Sequence, residues 1–211
     1  IRGKVIRDLI ARFSNDLLIG KKIKSGELRK RAVDLEPEWK CPEQFTNTMI
    51  LMENFTMELL EPVENVGSRV VLQLHGGGYI ATMKNAYRLF AALYSELGGN
   101  CRVMTIDYRL APEHPYPAAL EDTIAAYHWL LEQGYPAEKI VVAGDSAGGG
   151  LALALCLWLK NHKEPLPSGV IAMSPWTDLT ISGESVETNF EKDPLFGKTR
   201  DSMLYNKDYL G

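Results

Sequence analysis

The period of the apolar positions changes along the chain, and each change marks a different kind of element. Between residues 5 and 18, Val5, Ile6, Leu9, Ile10, Phe13, Leu17 and Leu18 recur at intervals of three and four, one stripe of an amphipathic helix that Gly20 ends. Residues 21–45 are rich in Lys, Arg and Glu, with Pro37 and Pro42 as interruptions, which predicts a solvated helical arm packed through one face. Strand patterning begins near residue 46. Residues 47–53 and 56–60 flank the turn-like Asn54 and are closed by Pro62, the pattern of a hairpin. Residues 69–74, 102–108, 140–143 and 169–173 are short apolar runs rich in β-branched side chains, as strands buried on both faces are. Helical spacing fills the gaps at 86–97 and 119–133, and an Ala- and Leu-rich run continues from Gly149 to Leu159.

Strands alternating with helices of this length predict an α/β fold, a mostly parallel sheet with helices on both faces and right-handed crossovers. Residues 181–211 carry no strand pattern and predict loop plus a helix over 200–209. Three segments follow: a helical piece over 1–45, a sheet-forming core over 46–180, and a second helical piece over 181–211. In such a sheet, ligands sit beyond the carboxyl ends of the strands. Three unusual loops are expected at that end, around Gly77, around Pro112 and at Ser146.

Gly144-Asp145-Ser146-Ala147-Gly148 satisfies G-x-S-x-G, with an apolar strand before it and a helix after it, the context of a nucleophile elbow. A serine at the tip of so tight a turn needs residues without bulk two places before and after it, so that the strand and helix backbones can approach. The turn also aims the first amides of the helix at the space above the Ser146 hydroxyl. His75-Gly76-Gly77-Gly78-Tyr79 leaves another strand. Its amides can face a bound acyl oxygen unobstructed by a Cβ, or the glycines can form a permissive turn and nothing more. The presence of the elbow at the same end of the sheet favours the first use. A phosphate loop is disfavoured, since no Gly-Lys-Ser or Gly-Lys-Thr follows Gly78.

HGGGY at 75–79, DYRLAPEHPYPAALED at 107–122 and GDSAGG at 144–149, in that order and spacing, resemble the hormone-sensitive-lipase-like family of α/β-hydrolase carboxylesterases. The resemblance covers about residues 46–211. It implies an α/β-hydrolase fold with a helical cap, to which 1–45 and 181–211 would contribute, and hydrolysis of short-chain acyl esters. It implies Ser146 as the nucleophile and the amides of Gly77, Gly78 and Ala147 as the oxyanion hole. His75, Gly76, Gly144, Asp145 and Gly148 support the two motifs, and the block from Asp107 to Asp122 is a structural signature.

The departure from the family concerns the base. In this fold the acid and then the histidine follow the serine. His162 is the one histidine after Ser146, 16 residues on, hence about 24 Å away along a helix. His128 lies well down its own helix and His75 is fixed by its strand, so both are expected to be structural. His114, on an irregular loop at the correct end of the sheet, is the remaining candidate, and Asp178 is a candidate acid. Alternatively the strands that carry the family's Asp and His are missing, and this chain holds the first two thirds of the fold. The rival functions are a non-catalytic ligand-binding protein on the same fold and an inactive fragment.

Composition changes this picture little. With 211 residues the chain can bury one substantial core, and a net charge of −4 argues against nucleic acid. The longest apolar run, 151–159, falls short of the roughly 20 residues of a membrane span. Cys41, Cys101 and Cys156 show no metal-ligand spacing. They read as buried thiols and favour a cytoplasmic setting. No metal or organic cofactor is expected. The expected partner is a small-molecule ester, and the missing third of the fold would be a second piece.

Overall fold

A computed structural model describes residues 5, 22, 25–189, 192–193 and 206–211. The stripe over 5–18 lies outside the described residues apart from Val5. Helix α1 is Glu27–Asp34, followed by β1 (Phe45–Leu51), β2 (Thr56–Pro62) and β3 (Val70–Leu74). Helix α2 (Asn85–Leu97), β4 (Arg102–Asp107), α3 (Ala118–Glu132) and β5 (Ile140–Asp145) come next. The chain continues through α4 (Ser146–His162), β6 (Gly169–Met173) and the short helices α5 (Glu184–Thr188) and α6 (Asn206–Leu210). Of the second helix predicted over 200–209, the part from Asn206 onward is described.

The six strands form one sheet in the order β1-β2-β4-β3-β5-β6. The hairpin is antiparallel, Phe45 facing Pro62, and its second strand joins β4 antiparallel. Strands β4, β3, β5 and β6 run parallel. The sheet is thus mixed, with the predicted parallel arrangement confined to its four central and distal strands.

Alternation along each strand divides the core. Val70, Leu72 and Leu74 of β3 face α3 and α4 with Met104, Ile106 and Val142, and meet Ala126, Leu130, Leu151 and Leu155. Val71, Val103 and Ala143 face the other way, onto Ala91 of α2. Full burial of each large aliphatic side chain contributes about 1.5–3 kcal/mol, which is why β3, with both faces covered, lies innermost. Strand β6 differs from the expectation of a strand buried on both faces: at the edge of the described sheet, Ile171 and Met173 remain 42% and 41% exposed.

Two sets of contacts hold the region around α1 against this core. Arg29 donates to the Ala111 carbonyl at 2.8 Å and pairs with Glu113 at 3.1 Å. Glu36 accepts the Asn85 amide at 2.9 Å, a carboxylate at the start of α2 where amides lack partners within the helix. Between α1 and the loop after β4 lies an open groove of about 570 Å³, lined by Lys30, Asp34, Thr82, Arg109 and His114 among others. Among the described residues no helix is long and apolar enough to cross a membrane.

Candidate active site

Strand β5 runs on through Asp145, and α4 starts at Ser146 itself, three residues before the start that the Ala- and Leu-rich pattern predicts. The turn is compressed into one residue, and Ser146 has φ +50°, a conformation costing about 1–3 kcal/mol for a residue with a Cβ. Close packing holds it there. A Cβ on Gly148 would strike the carbonyls of Leu74 and His75, and one on Gly144 would strike the Gly148 carbonyl. Beyond the turn, the Trp176 amide donates to the Ser146 carbonyl at 2.8 Å. Ala147 is buried and Ser146 half-buried at the amino end of α4.

The glycine loop lies beyond the adjacent strand. His75 is fully buried, stacked on Tyr108 with ring centroids 4.1 Å apart, and its Nδ1 donates to the Gly76 carbonyl at 2.8 Å. Its Nε2 stands 3.6 Å from Asp107 Oδ1, an electrostatic contact longer than a hydrogen bond. Asp107 also accepts from the Thr82 hydroxyl and the Met83 amide. Burial works against the Asp107 charge, but the His75 ring, the Met83 amide and the Thr82 hydroxyl outweigh it and hold its pKa below the ordinary value. The Gly77 carbonyl accepts the amides of Ile80 and Ala81. Gly77 is exposed and Gly78 half-buried, and among the described residues nothing accepts from their own amides.

Aromatic rings crowd the same region. Tyr79 stacks on Tyr209 of α6 at 3.7 Å and lies 6.0 Å from Trp176, while Tyr116 meets Tyr209 edge-on at 5.9 Å. Burial pushes the Tyr79 hydroxyl up to about 12. The Tyr116 amide donates to the Tyr209 carbonyl at 2.6 Å, so α6 is tied to both the glycine loop and the loop after β4.

The candidate acid and base are engaged in other contacts. Asp178 is not free to orient a histidine: its oxygens accept from the amides of Thr180, Ser182 and Gly183 and from the hydroxyls of Thr180 and Ser182. The Thr180 hydroxyl and the Ser182 amide lead in holding its pKa well below the usual carboxylate range. It closes its own loop. His114 is exposed and lines the groove beside α1. His128 pairs with Glu164 at 2.6 Å, and His162 stacks on Trp158 at the far end of α4. Among the described residues, no hydrogen bond joins a histidine ring to Ser146. Among the described residues no three His, Cys, Asp or Glu side chains cluster as metal ligands would.

Tyr87, Trp176 and Tyr209 were not legible as site residues in the sequence. Tyr87 sits in a helical apolar stripe, where an aromatic reads as core, and Tyr209 ends the helix expected over 200–209 with no motif to mark it.

Comparison with known proteins agrees with this geometry. A family described as alpha/beta hydrolase fold matches residues 71–211. The acetyl-hydrolase of Streptomyces hygroscopicus is 35% identical, over 89% of this chain and 62% of its own length. The chain therefore spans less than two thirds of that relative. An esterase from the bacterial hormone-sensitive lipase family superposes with a TM-score of 0.73 at 34% identity, covering 91% of this chain and 68% of its own. The structure of EstE5 soaked with p-nitrophenyl butyrate gives 0.74 at 31% identity, with 92% and 68% covered. Sheet order, elbow and glycine loop, together with these matches, mean that the chain belongs to the hormone-sensitive-lipase family of α/β-hydrolase-fold proteins.

Proposed function

We propose that Ser146 is the nucleophile of a serine carboxylesterase acting on short-chain acyl esters. The observation that carries this reading is the left-handed Ser146 at the start of α4, beside a glycine loop whose Gly77 and Gly78 amides donate to nothing among the described residues. Ser146 Oγ attacks the ester carbonyl carbon, its proton passes to a base, and the carbonyl oxygen takes on the negative charge. The amides of Gly77, Gly78 and Ala147 donate to that oxygen, each donor of this kind being worth about 10²–10³ in turnover. Collapse of the tetrahedral adduct expels the alcohol and leaves an acyl-enzyme, which water hydrolyses. The preference for short acyl groups is supported by the acetyl-hydrolase relative and by the butyrate ester soaked into EstE5. Segments 1–45 and 181–211 act as cap pieces in this reading, supported by the docking of α1 on Ala111 and Glu113 and of Tyr209 on Tyr79.

A second reading, a ligand-binding protein without turnover, is favoured by one observation: among the described residues no histidine is hydrogen-bonded to Ser146. One experiment separates the two. The full-length gene product is treated with a fluorescent phosphonate and assayed on p-nitrophenyl acetate, butyrate and octanoate, beside Ser146→Ala. Labelling and turnover of the shorter esters, both abolished in Ser146→Ala, are expected. Ester binding without labelling would support the ligand-binding protein, and labelling that persists in the variant would place the nucleophile elsewhere.

A further inference from the structure

Tyr87 belongs to none of the motifs, yet its hydroxyl stands where the glycine loop meets the elbow. The Gly76 amide donates to the Tyr87 oxygen at 2.8 Å and to Asp145 Oδ1 at 3.1 Å. The Tyr87 hydroxyl in turn donates to Asp145 Oδ2 at 3.3 Å. These bonds close a ring joining the start of the glycine loop to the residue before Ser146. A Cβ on Gly76 would strike the Asp145 carboxylate, so the ring closes only on a glycine. Tyr87 is itself held in place. Its carbonyl accepts from Gln73 Nε2 at 2.8 Å, and its ring packs on His75 at 5.6 Å and edge-on to Phe90 at 5.9 Å.

A run of three glycines has the greatest backbone freedom of any sequence, whereas donors accelerate a reaction when they are already aimed before charge develops. The peptide plane is rigid. Fixing the Gly76 amide therefore fixes where the loop begins, and the turn onto the Gly77 carbonyl fixes where it ends. The ring also occupies both oxygens of Asp145, the residue immediately before Ser146. Burial, and then the Asp145 charge, push the Tyr87 hydroxyl up to about 12, so it remains a donor at neutral pH.

We propose that Tyr87 is a positioning residue of the serine site: its hydroxyl holds the Gly76 amide and the Asp145 carboxylate in one arrangement and so aims the Gly77 and Gly78 amides at the developing oxyanion. The proposal rests on the esterase reading of Ser146. Its effect falls on the transition state, where the oxyanion exists, and not on the bound ester.

The test uses Tyr87→Phe, Asp145→Asn and the double variant in the full-length gene product, with active sites counted by phosphonate titration. For Tyr87→Phe, kcat per titrated site is expected to fall about tenfold or more, less than the 10²–10³ of a direct donor, while KM stays within about threefold. The affinity of a trifluoromethyl ketone, whose serine adduct carries an oxyanion, should fall in proportion to kcat/KM. The double variant should lose no more than the worse single variant, because both residues act through one ring. A merely structural role would reduce the titrated fraction and leave kcat per site unchanged, and that result overturns the proposal, as do additive losses. A wild-type protein inert to both esters and phosphonate overturns the esterase reading and the proposal together, whereas an active wild type with an unaffected Tyr87→Phe overturns the proposal alone.

Discussion

Asp122, in the first turns of α3, is the carboxylate that anchors the loop following β4, and its removal should be costly although it belongs to none of the catalytic motifs. The residue is 2% exposed and accepts the Arg109 amide at 2.8 Å and Arg109 Nε at 2.9 Å, with Nη2 at 2.7 Å. It thereby pins Arg109, near the start of the proline-rich loop, to α3. Removing one partner of a buried pair costs about 3–5 kcal/mol, most of it from the charge left behind. Arg109 keeps Glu121 at 3.1 Å and a partly exposed side chain, which places Asp122→Ala near the lower end, about 3 kcal/mol. For a chain of this size each kcal/mol lowers the melting temperature by about 2–4 °C, so a drop of roughly 6–12 °C is expected. Asp122→Asn retains an acceptor for the Arg109 amide and should lose about half as much. Thermal and urea unfolding of the full-length gene product, followed by far-UV circular dichroism, measure both. A shift under about 2 °C for Asp122→Ala, or an asparagine variant as damaged as the alanine variant, would refute this account of the loop.

Two further outcomes are expected. Gly148→Ala forces a Cβ onto the Leu74 and His75 carbonyls and should cost about 3 kcal/mol or more in urea unfolding together with loss of phosphonate labelling; wild-type stability would show that the elbow tolerates a side chain. Tyr79 and Tyr127, both pushed up to about 12 chiefly by burial, keep their protons in the folded state while unfolded phenols ionise near pH 10. Stability should therefore hold up to about pH 10 and fall between there and about 12, by as much as about 1.4 kcal/mol per unit for each group, and a flat stability curve over that range would contradict it.

Legibility from sequence followed the range of the interactions involved. Strand β6 was read to the residue and β4 to within one, because a short apolar run bounded by polar residues needs no partner to be recognised. The start of α4 was misplaced by three residues: Ser146, Ala147 and Gly148 carry no helical pattern, and their conformation is imposed by β3 packing against Gly148. The loops that hold Ser146 and Gly77 were legible as local motifs. The ring through Tyr87 was not, since it depends on a crossover that brings α2 beside the end of β5. Asp178 misled for a related reason: its place after β6 was legible, but the five donors that occupy it come from the turn it closes.

The position of β3 bears on how the protein comes to be made. Val70 aligns with Arg102 on one side and with Ile140 on the other, so the innermost strand is synthesised before either neighbour exists. At typical translation rates the stretch from Val70 to Ile140 takes on the order of ten seconds to emerge. Until β4 has emerged the Val-Val-Leu-Gln-Leu segment has both edges open, and the edge that β5 will take stays open for the rest of that interval, an arrangement prone to pairing with the wrong chain. The hairpin of β1 and β2 gives no shelter, because it docks on β4 and not on β3. The strand most deeply enclosed in the finished protein thus waits longest for its last neighbour, and a chaperone that holds residues 70–74 until β5 arrives should raise the folded yield.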